Sequence, residues 1–402
     1  LGKQDEAINS YKKAIQIDSN YFIAHHNLGN ILSELGKYQE AISYYEKAIK
    51  INPNQAESYN NLGNVFSSLK KYQKAISYYE KAIEINPNHA DAYYNLGNAL
   101  SELGEYQKAI SYYEKAIQIN PNYAGAYNNN GIALKKLGEF QKAMSCYQKA
   151  IQINPRHAGA HNNLGSLFQA LGEYQKAISY YEKAIQISPN YTESKLNESL
   201  CRLALGEFEI GWKKFEYRFD VEDRIAFRRY KIDKLWDGNY LDSTLLVWGE
   251  QGIGDHILFA SMLTDLRKYA KNIILEIDKR LVNLCKRYYE KINFSNIKVI
   301  NLEKKLVNNF DKHIAIGSLG QYLRKTKKSF ETTPKKYFIP SPAKEKELRN
   351  KFFTNKKFKV GISWKSLNKK HQYRNIDLTQ MLPILSNPHC DFINLQFGKF
   401  DE

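Results

Sequence analysis

The chain has 402 residues, 43% of them hydrophobic and 25% charged, which is enough apolar material for a sizeable core in two or three domains and excludes a disordered polymer. Its longest apolar runs, such as 257–263, fall far short of the roughly 20 residues a membrane helix needs, so no transmembrane segment is expected and a cytoplasmic protein is. The net charge of +17 is uneven, with 24 basic and 22 acidic side chains up to residue 220 but 35 and 20 after it, so any field for phosphate, nucleic acid or an acidic membrane lies in the second half.

Four scattered cysteines (Cys146, Cys201, Cys285, Cys390) without C-x-x-C spacing point to neither a zinc site nor a disulfide framework, and suit a reducing compartment. The chain starts at Leu1 inside a repeat, so the natural N-terminus is expected to lie upstream and a signal peptide cannot be judged.

From the start, the phrase YQKAISYYEKAI recurs at 72–83, 106–117 and 174–185, with near copies at 38 and 140, a period of 34. Gly29, Gly63, Gly97, Gly131 and Gly165 align on it, as do Ala41, Ala75, Ala109, Ala143 and Ala177, and Pro53, Pro87, Pro121, Pro155 and Pro189 close the units. Small residues at fixed places let two helices approach, tyrosines fill the gap, and proline stops the second helix. The pattern resembles the tetratricopeptide repeat, with half a unit and five whole ones over 1–191. The expectation is a right-handed α-solenoid with a concave face.

The sixth position of each first helix is Asn27, Asn61, Asn95, Asn129, Asn163 and, in a degenerate unit, Asn197. An amide offers donors and an acceptor, so such a row can bond an extended peptide backbone whatever its side chains. It resembles the ladder with which the repeats of O-linked N-acetylglucosamine transferases hold protein substrates; a polar face that merely meets water is the plainer alternative. Residues 192–220 are read as a degenerate, capping helical pair with Trp212 and Phe215 on its buried side, and 221–243 as a charged linker.

From 244 short apolar runs alternate with helical stretches. Strands are expected near 244–248, 272–277, 296–300, 312–316, 358–363 and 391–395, and helices at 256–269, 279–291 and 343–354, which implies a parallel sheet with ligands beyond its C-terminal strand ends. The turn in WGEQGIGDHILF (248–259) sits at such an end. Gly249, Gly252 and Gly254 read G-x-x-G-x-G, the wrong order for a dinucleotide fingerprint even though Glu276 is placed almost correctly for a ribose, and Gly254-Asp255-His256 is no P-loop.

That turn, followed by GISWKS (361–366), FDKHIAIGSL (310–319), KYFIP (336–340), RNIDLTQMLPIL (374–385) and INLQFG (393–398), is similar to bacterial proteins that join tetratricopeptide repeats to a glycosyltransferase domain like the heptosyltransferases of glycosyltransferase family nine. The resemblance implies a GT-B fold of two Rossmann-like domains: an acceptor side at 244–341, a connecting helix at 342–357, and a donor side that starts at 358 and is incomplete at 402. It assigns a general-base carboxylate to Asp255 and places Ser363, Trp364, Lys365, Ser366 and Arg374 near the donor phosphates. Lysine and arginine there would stabilise a departing nucleoside diphosphate without metal. No cofactor is implied beyond a nucleotide sugar as co-substrate, no metal and no nucleic acid.

Asp255 also fits a helix N-cap, where the helix terminus would weaken it as a base. His256 is the fallback base and Glu250 a third candidate. Two functions follow as expectations: a fragment of an inverting, metal-independent glycosyltransferase, inactive alone, whose repeats recruit a protein or glycan acceptor; or a non-enzymatic repeat scaffold with a degenerate α/β domain.

Overall fold

The computed structural model describes residues 2–221, 228–250, 252–303, 305–331, 333–334, 337–362, 385–386 and 388–394. They fall into two compact bodies, 1–227 with 320–331, and 228–319 with 332–402.

The first body is a stack of antiparallel helix pairs. After α1 (Gly2–Ile17) come α2 (Phe22–Glu34) with α3 (Tyr38–Ile51), α4 (Ala56–Ser68) with α5 (Tyr72–Ile85), α6 (Ala90–Glu102) with α7 (Tyr106–Ile119), α8 (Ala124–Lys136) with α9 (Phe140–Ile153), and α10 (Ala158–Ala170) with α11 (Tyr174–Ile187). A sixth pair, α12 (Thr192–Ala204) and α13 (Phe208–Phe215), follows. Each pair closes because its first helix carries a glycine against a tyrosine of the second: a Cβ on Gly63 would lie 2.5 Å from the Tyr79 ring, and one on Gly97 2.6 Å from Tyr113. Tyr45, Tyr79, Tyr113, Tyr147 and Tyr181 are all fully buried there.

The chain turns between paired helices through a left-handed residue. It is glycine at Gly36 (φ 71°) and Gly104 (φ 81°), but lysine at Lys70 (φ 58°). Each second helix ends where Asn52, Asn86, Asn120 or Asn154 accepts the backbone N–H two residues on, an Asx turn that the following proline continues. First helices also touch the first helices of neighbouring units (α2 with α4, α4 with α6, α6 with α8, α8 with α10, α10 with α12), which makes them the inner wall.

The seventh position of the first helix faces the core. Leu28, Leu62, Leu96 and Leu164 occupy it in four units, Asn130 in the fourth unit, and Glu198 in the last pair. Glu198 is fully enclosed but bonded by Arg202 Nε at 2.6 Å and by Lys214 Nζ through both carboxylate oxygens, also at 2.6 Å. Phe215 is buried and Trp212 half-buried, and the cap is completed by 320–331: Trp212 Nε1 donates to Arg324 O at 2.9 Å, and a Cβ at Gly320 would strike the Trp212 ring.

The second body holds a four-stranded, wholly parallel sheet in the order β3-β2-β1-β4, from β1 (Leu241–Trp248), β2 (Ala270–Ile277), β3 (Ile297–Asn301) and β4 (Lys312–Ala315). Leu246 pairs with Ile274 on one side and His313 on the other. The last four residues of β1 are all buried, as both faces of a covered parallel sheet require. Two further strands, Phe358–Ile362 (β5) and Cys390–Asn394 (β6), pair in parallel with each other. A small parallel sheet is therefore present, whereas a two-domain GT-B arrangement is not established by it.

The helices are α14 (Ile253–Ala260), α15 (Lys279–Lys291) and α16 (Pro342–Phe352). The single helix expected over 256–269 is instead α14 and a 3-10 segment at Leu263–Lys268. Ser261 Oγ donates to Leu258 O at 2.8 Å, the kind of back-bond that competes with helical continuation. Residues 229–240, expected within a linker, bury Tyr230 and Trp236, and Trp236 N donates to His313 O at 2.9 Å beside β4.

Candidate functional site

Two places bring the expected residues together: the inner wall of the solenoid, and the carboxyl ends of β1, β2 and β4.

On the inner wall all six asparagines, Asn27 to Asn197, are half-buried on the first helices. Five of them, Asn27, Asn61, Asn95, Asn129 and Asn163, already spend an amide donor inside the solenoid. Asn61 Nδ2 donates to Asn30 Oδ1 (3.0 Å), Asn95 Nδ2 to Asn60 Oδ1 (3.0 Å), Asn129 Nδ2 to Asn98 Oδ1 (2.8 Å) and Asn163 Nδ2 to Asn128 Oδ1 (2.9 Å), so each reaches back to the preceding unit. The tyrosines of the helix interface join the network, Tyr45 to Asn30 (2.6 Å), Tyr79 to Asn64 (2.8 Å) and Tyr113 to Asn98 (2.9 Å). A spacing of 31 or 35 residues puts a donor within reach of the neighbouring unit's side-chain carbonyl. What the wall keeps for a ligand is acceptor capacity, including the Oδ1 atoms of Asn95 and Asn163, which accept no hydrogen bond among the described residues. A groove of about 500 Å³ runs along this wall past Ser67, Asn98, Ser101, Glu102, Asn129 and Ile132.

At the sheet, chain order reverses between β1 and β4, the place where ligands enter open parallel sheets. The loops after the two strands are tied there, with Gly317 N donating to Glu250 Oε1 at 2.9 Å. Glu250 thus holds the two loops together. Asp255 is half-buried in the first turn of α14, and Gly252 stands at the cap, so Asp255 is not the N-cap itself. His256 is 1% exposed. Its Nδ1 accepts from the Asp278 N–H at 3.3 Å, its Nε2 has no partner, and burial lowers its pKa against the pull of Asp278 and Asp255. A neutral imidazole with its proton on Nε2 fits those surroundings. The ring lies against Gly249, where any Cβ would collide with it, so His256 packs beneath the turn.

Glu276, weighed above for a ribose, and three groups not singled out by sequence reasoning, Arg229, Tyr230 and Asp278, complete this edge. Glu276, at the end of β2 and 1% exposed, accepts from Arg229 Nη2 (2.9 Å) and Tyr230 OH (3.0 Å), so it is not presented to a ribose. Asp278 caps α15 by accepting from Arg280 N at 2.9 Å, and its carboxyl is lowered to about 2, chiefly by the hydrogen bond from the Arg280 side chain. Arg229 could have been found as a cation beside the buried Glu276 only from the fold, since 47 residues separate them. Ser363, Trp364, Lys365, Ser366 and Arg374 lie outside the described residues. No group of three or more potential metal ligands occurs among the described residues, and no helix of the described residues is long and apolar enough to cross a membrane.

Paired helices of constant length stacked on a shared core define the first body as a helical-repeat solenoid. Its units are tetratricopeptide repeats: residues 21–88, 54–122 and 122–190 match the tetratricopeptide repeat family model, and 1–36 match a TPR repeat model. Protein FlbA of Caulobacter vibrioides is 27% identical over 212 residues, which are 48% of this chain but only 35% of that relative, about a third of its length. Among solved structures, the APC/C hetero-tetramer Cut9-Hcn1 is 18% identical with a TM-score of 0.50, covering 56% of this chain and 45% of that one, a likeness of fold alone. YrrB, described as a TPR protein with an unusual peptide-binding site, is 28% identical with a TM-score of 0.38, covering 46% of this chain and 95% of that one.

Proposed function

We propose that the protein is an interaction scaffold whose inner wall holds an extended segment of a protein partner. The observation that carries this reading is the continuous row of half-buried asparagines beside a groove of about 500 Å³. Because Asn61, Asn95, Asn129 and Asn163 each spend a donor between units, the free acceptors suit the N–H groups of an extended backbone, a row of donors that every peptide offers. The same bonds between units hold the wall rigid, which lowers the ordering entropy lost on binding. Substituting Asn95→Ala and Asn129→Ala together is expected to weaken binding of a selected peptide at least about fivefold, since each lost hydrogen bond contributes about 1 kcal/mol. Unchanged affinity in a folded variant would refute the reading.

A second reading is that the α/β body belongs to a metal-independent, inverting glycosyltransferase acting on the recruited partner. It is supported by the glycine turn at the β1/β4 switch point and by the carboxylate of Asp255 at its rim. Asp255 would take the proton of an acceptor hydroxyl as its oxygen attacks the anomeric carbon. The bond from that carbon to the nucleoside diphosphate would break, with Lys365 and Arg374 balancing the leaving charge. A cytoplasmic location and a nucleotide-sugar donor belong to this proposal. Its test is transfer of labelled sugar to the bound partner: Asp255→Asn should abolish transfer and leave partner binding intact, and equal transfer by the variant would exclude the role.

A further inference from the structure

At the ninth, twelfth and thirteenth positions of the first helices of the five units, only the fourth unit carries an aliphatic side chain followed by two cations. At the ninth position of the first helix, Asn30, Asn64 and Asn98 give way to Ile132, and Ser166 follows in the next unit. At the twelfth, where Ser33, Ser67, Ser101 and Gln169 stand, the fourth unit has Lys135. At the thirteenth, in place of Glu34, Ser68, Glu102 and Ala170, it has Lys136. Ile132 lines the groove. Lys135 and Lys136 follow it by three and four residues, so they share its face of α8 at about 5–6 Å between Cβ atoms.

Among the described residues the two ammonium groups are not in salt-bridge contact with a carboxylate, although Glu193 acts on Lys135 from a distance. Lys135 has the hydroxyl of Ser166 at 2.7 Å for its three donors, and it is half-buried, so burial and the neighbouring charge of Lys136 lower its pKa against the pull of Glu193. A partly desolvated cation with one neutral acceptor gains from an incoming anion more than a solvated surface lysine does.

We infer that the fourth unit sets which partner the wall accepts, and that it selects an extended protein segment carrying a carboxylate side chain within two residues of an aliphatic one. The aliphatic side chain covers Ile132 and the carboxylate pairs with Lys135 and Lys136. An extended chain advances about 3.3 Å per residue, so two residues span the separation of these groups. The rest of the groove, rich in acceptors and carrying the carboxylate of Glu102, holds the backbone and turns a partner's acid towards the fourth unit. This inference rests on the scaffold reading.

The test is selection of a random dodecapeptide library on the 402-residue protein, followed by fluorescence anisotropy with the recovered peptides. Expected are peptides enriched in Asp or Glu next to, or one residue away from, Leu, Ile or Val. For these, Lys135→Ser with Lys136→Ser should weaken binding at least about fivefold, and the loss should vanish when the peptide's own acid is changed to its amide. Recovered peptides without that enrichment, or an equal affinity for the double variant, would overturn the selectivity and leave the wall as a general peptide holder. If no peptide is recovered, or those recovered ignore the Asn95→Ala and Asn129→Ala changes, the scaffold reading fails and this inference with it.

Discussion

Replacing Asn130 by Leu is expected to stabilise the solenoid. Asn130 is 4% exposed in the middle of α8, and its Oδ1 has no hydrogen-bond partner. Four units carry a buried leucine at the same place, and the last pair carries Glu198, which is matched by Arg202 and Lys214. An unsatisfied buried acceptor costs about 1–3 kcal/mol, and burying a leucine side chain contributes about 1.5–3 kcal/mol relative to leaving it in water. Leucine is bulkier than asparagine but shares its branched outline, and four other units accommodate it at this position beside the same glycine–tyrosine contact, which limits the loss to overpacking. Counting the two effects as partly overlapping, the gain should be about 2–4 kcal/mol. For a body of this size each kcal/mol moves the midpoint by about 2–4 °C, so the helical signal at 222 nm should melt roughly 5–10 °C later. Repeat arrays open locally, and the amide hydrogens of α8 and α9 should therefore slow most in exchange. The reverse change, Leu96→Asn, should lower the midpoint by a similar amount. An unchanged or lower midpoint for Asn130→Leu, with exchange in α8 and α9 as before, would refute the reasoning.

Lys70 holds the left-handed turn residue that is glycine in the other units, so Lys70→Gly should stabilise by about 0.5–1 kcal/mol once the extra freedom of the unfolded glycine is subtracted, read as a rise in the urea midpoint. Gly249→Ala would drive a methyl into the His256 ring and should lower the stability of the α/β body by about 2 kcal/mol or more; adding His256→Ala should restore part of it, and a loss unaffected by the second change would show that the clash is not the cause. The Asp278 carboxyl is depressed from 3.8 to about 2 by Arg280, so its contribution is complete above about pH 4 and disappears as pH falls through 2. Urea midpoints from pH 6 to pH 2 should accordingly decline less steeply in Asp278→Asn than in the parent, and parallel curves would show that the pair contributes nothing.

The repeat was legible because its rules are local. Gly63 and Tyr79 lie sixteen residues apart within one helix pair, and a period of 34 repeats the instruction until it cannot be mistaken. The strands were legible from apolar runs, with β1 beginning three residues earlier than expected because the exposed Asp242 and half-buried Ser243 interrupt its apolar signal. The site residues were less legible. His256 reads as a titratable group in a glycine turn, yet its place under Gly249 and against the Asp278 N–H depends on how β1, α14 and β2 meet. The asparagine row was visible, but not the direction of its amides.

Sequence alone therefore determined the helical pairs, their stacking order and the polar character of the inner wall, since period, helix-breaking residues and small-to-large pairings act within about one unit. Only the tertiary structure decided which groups are already engaged. It placed 320–331 against Trp212 from more than a hundred residues away, buried Glu276 under Arg229 and Tyr230, turned asparagine donors towards neighbouring units and gave Lys135 the hydroxyl of Ser166. Hydrogen bonds and charge pairs form through space between groups that no local pattern relates, so their completion or absence is a property of the fold.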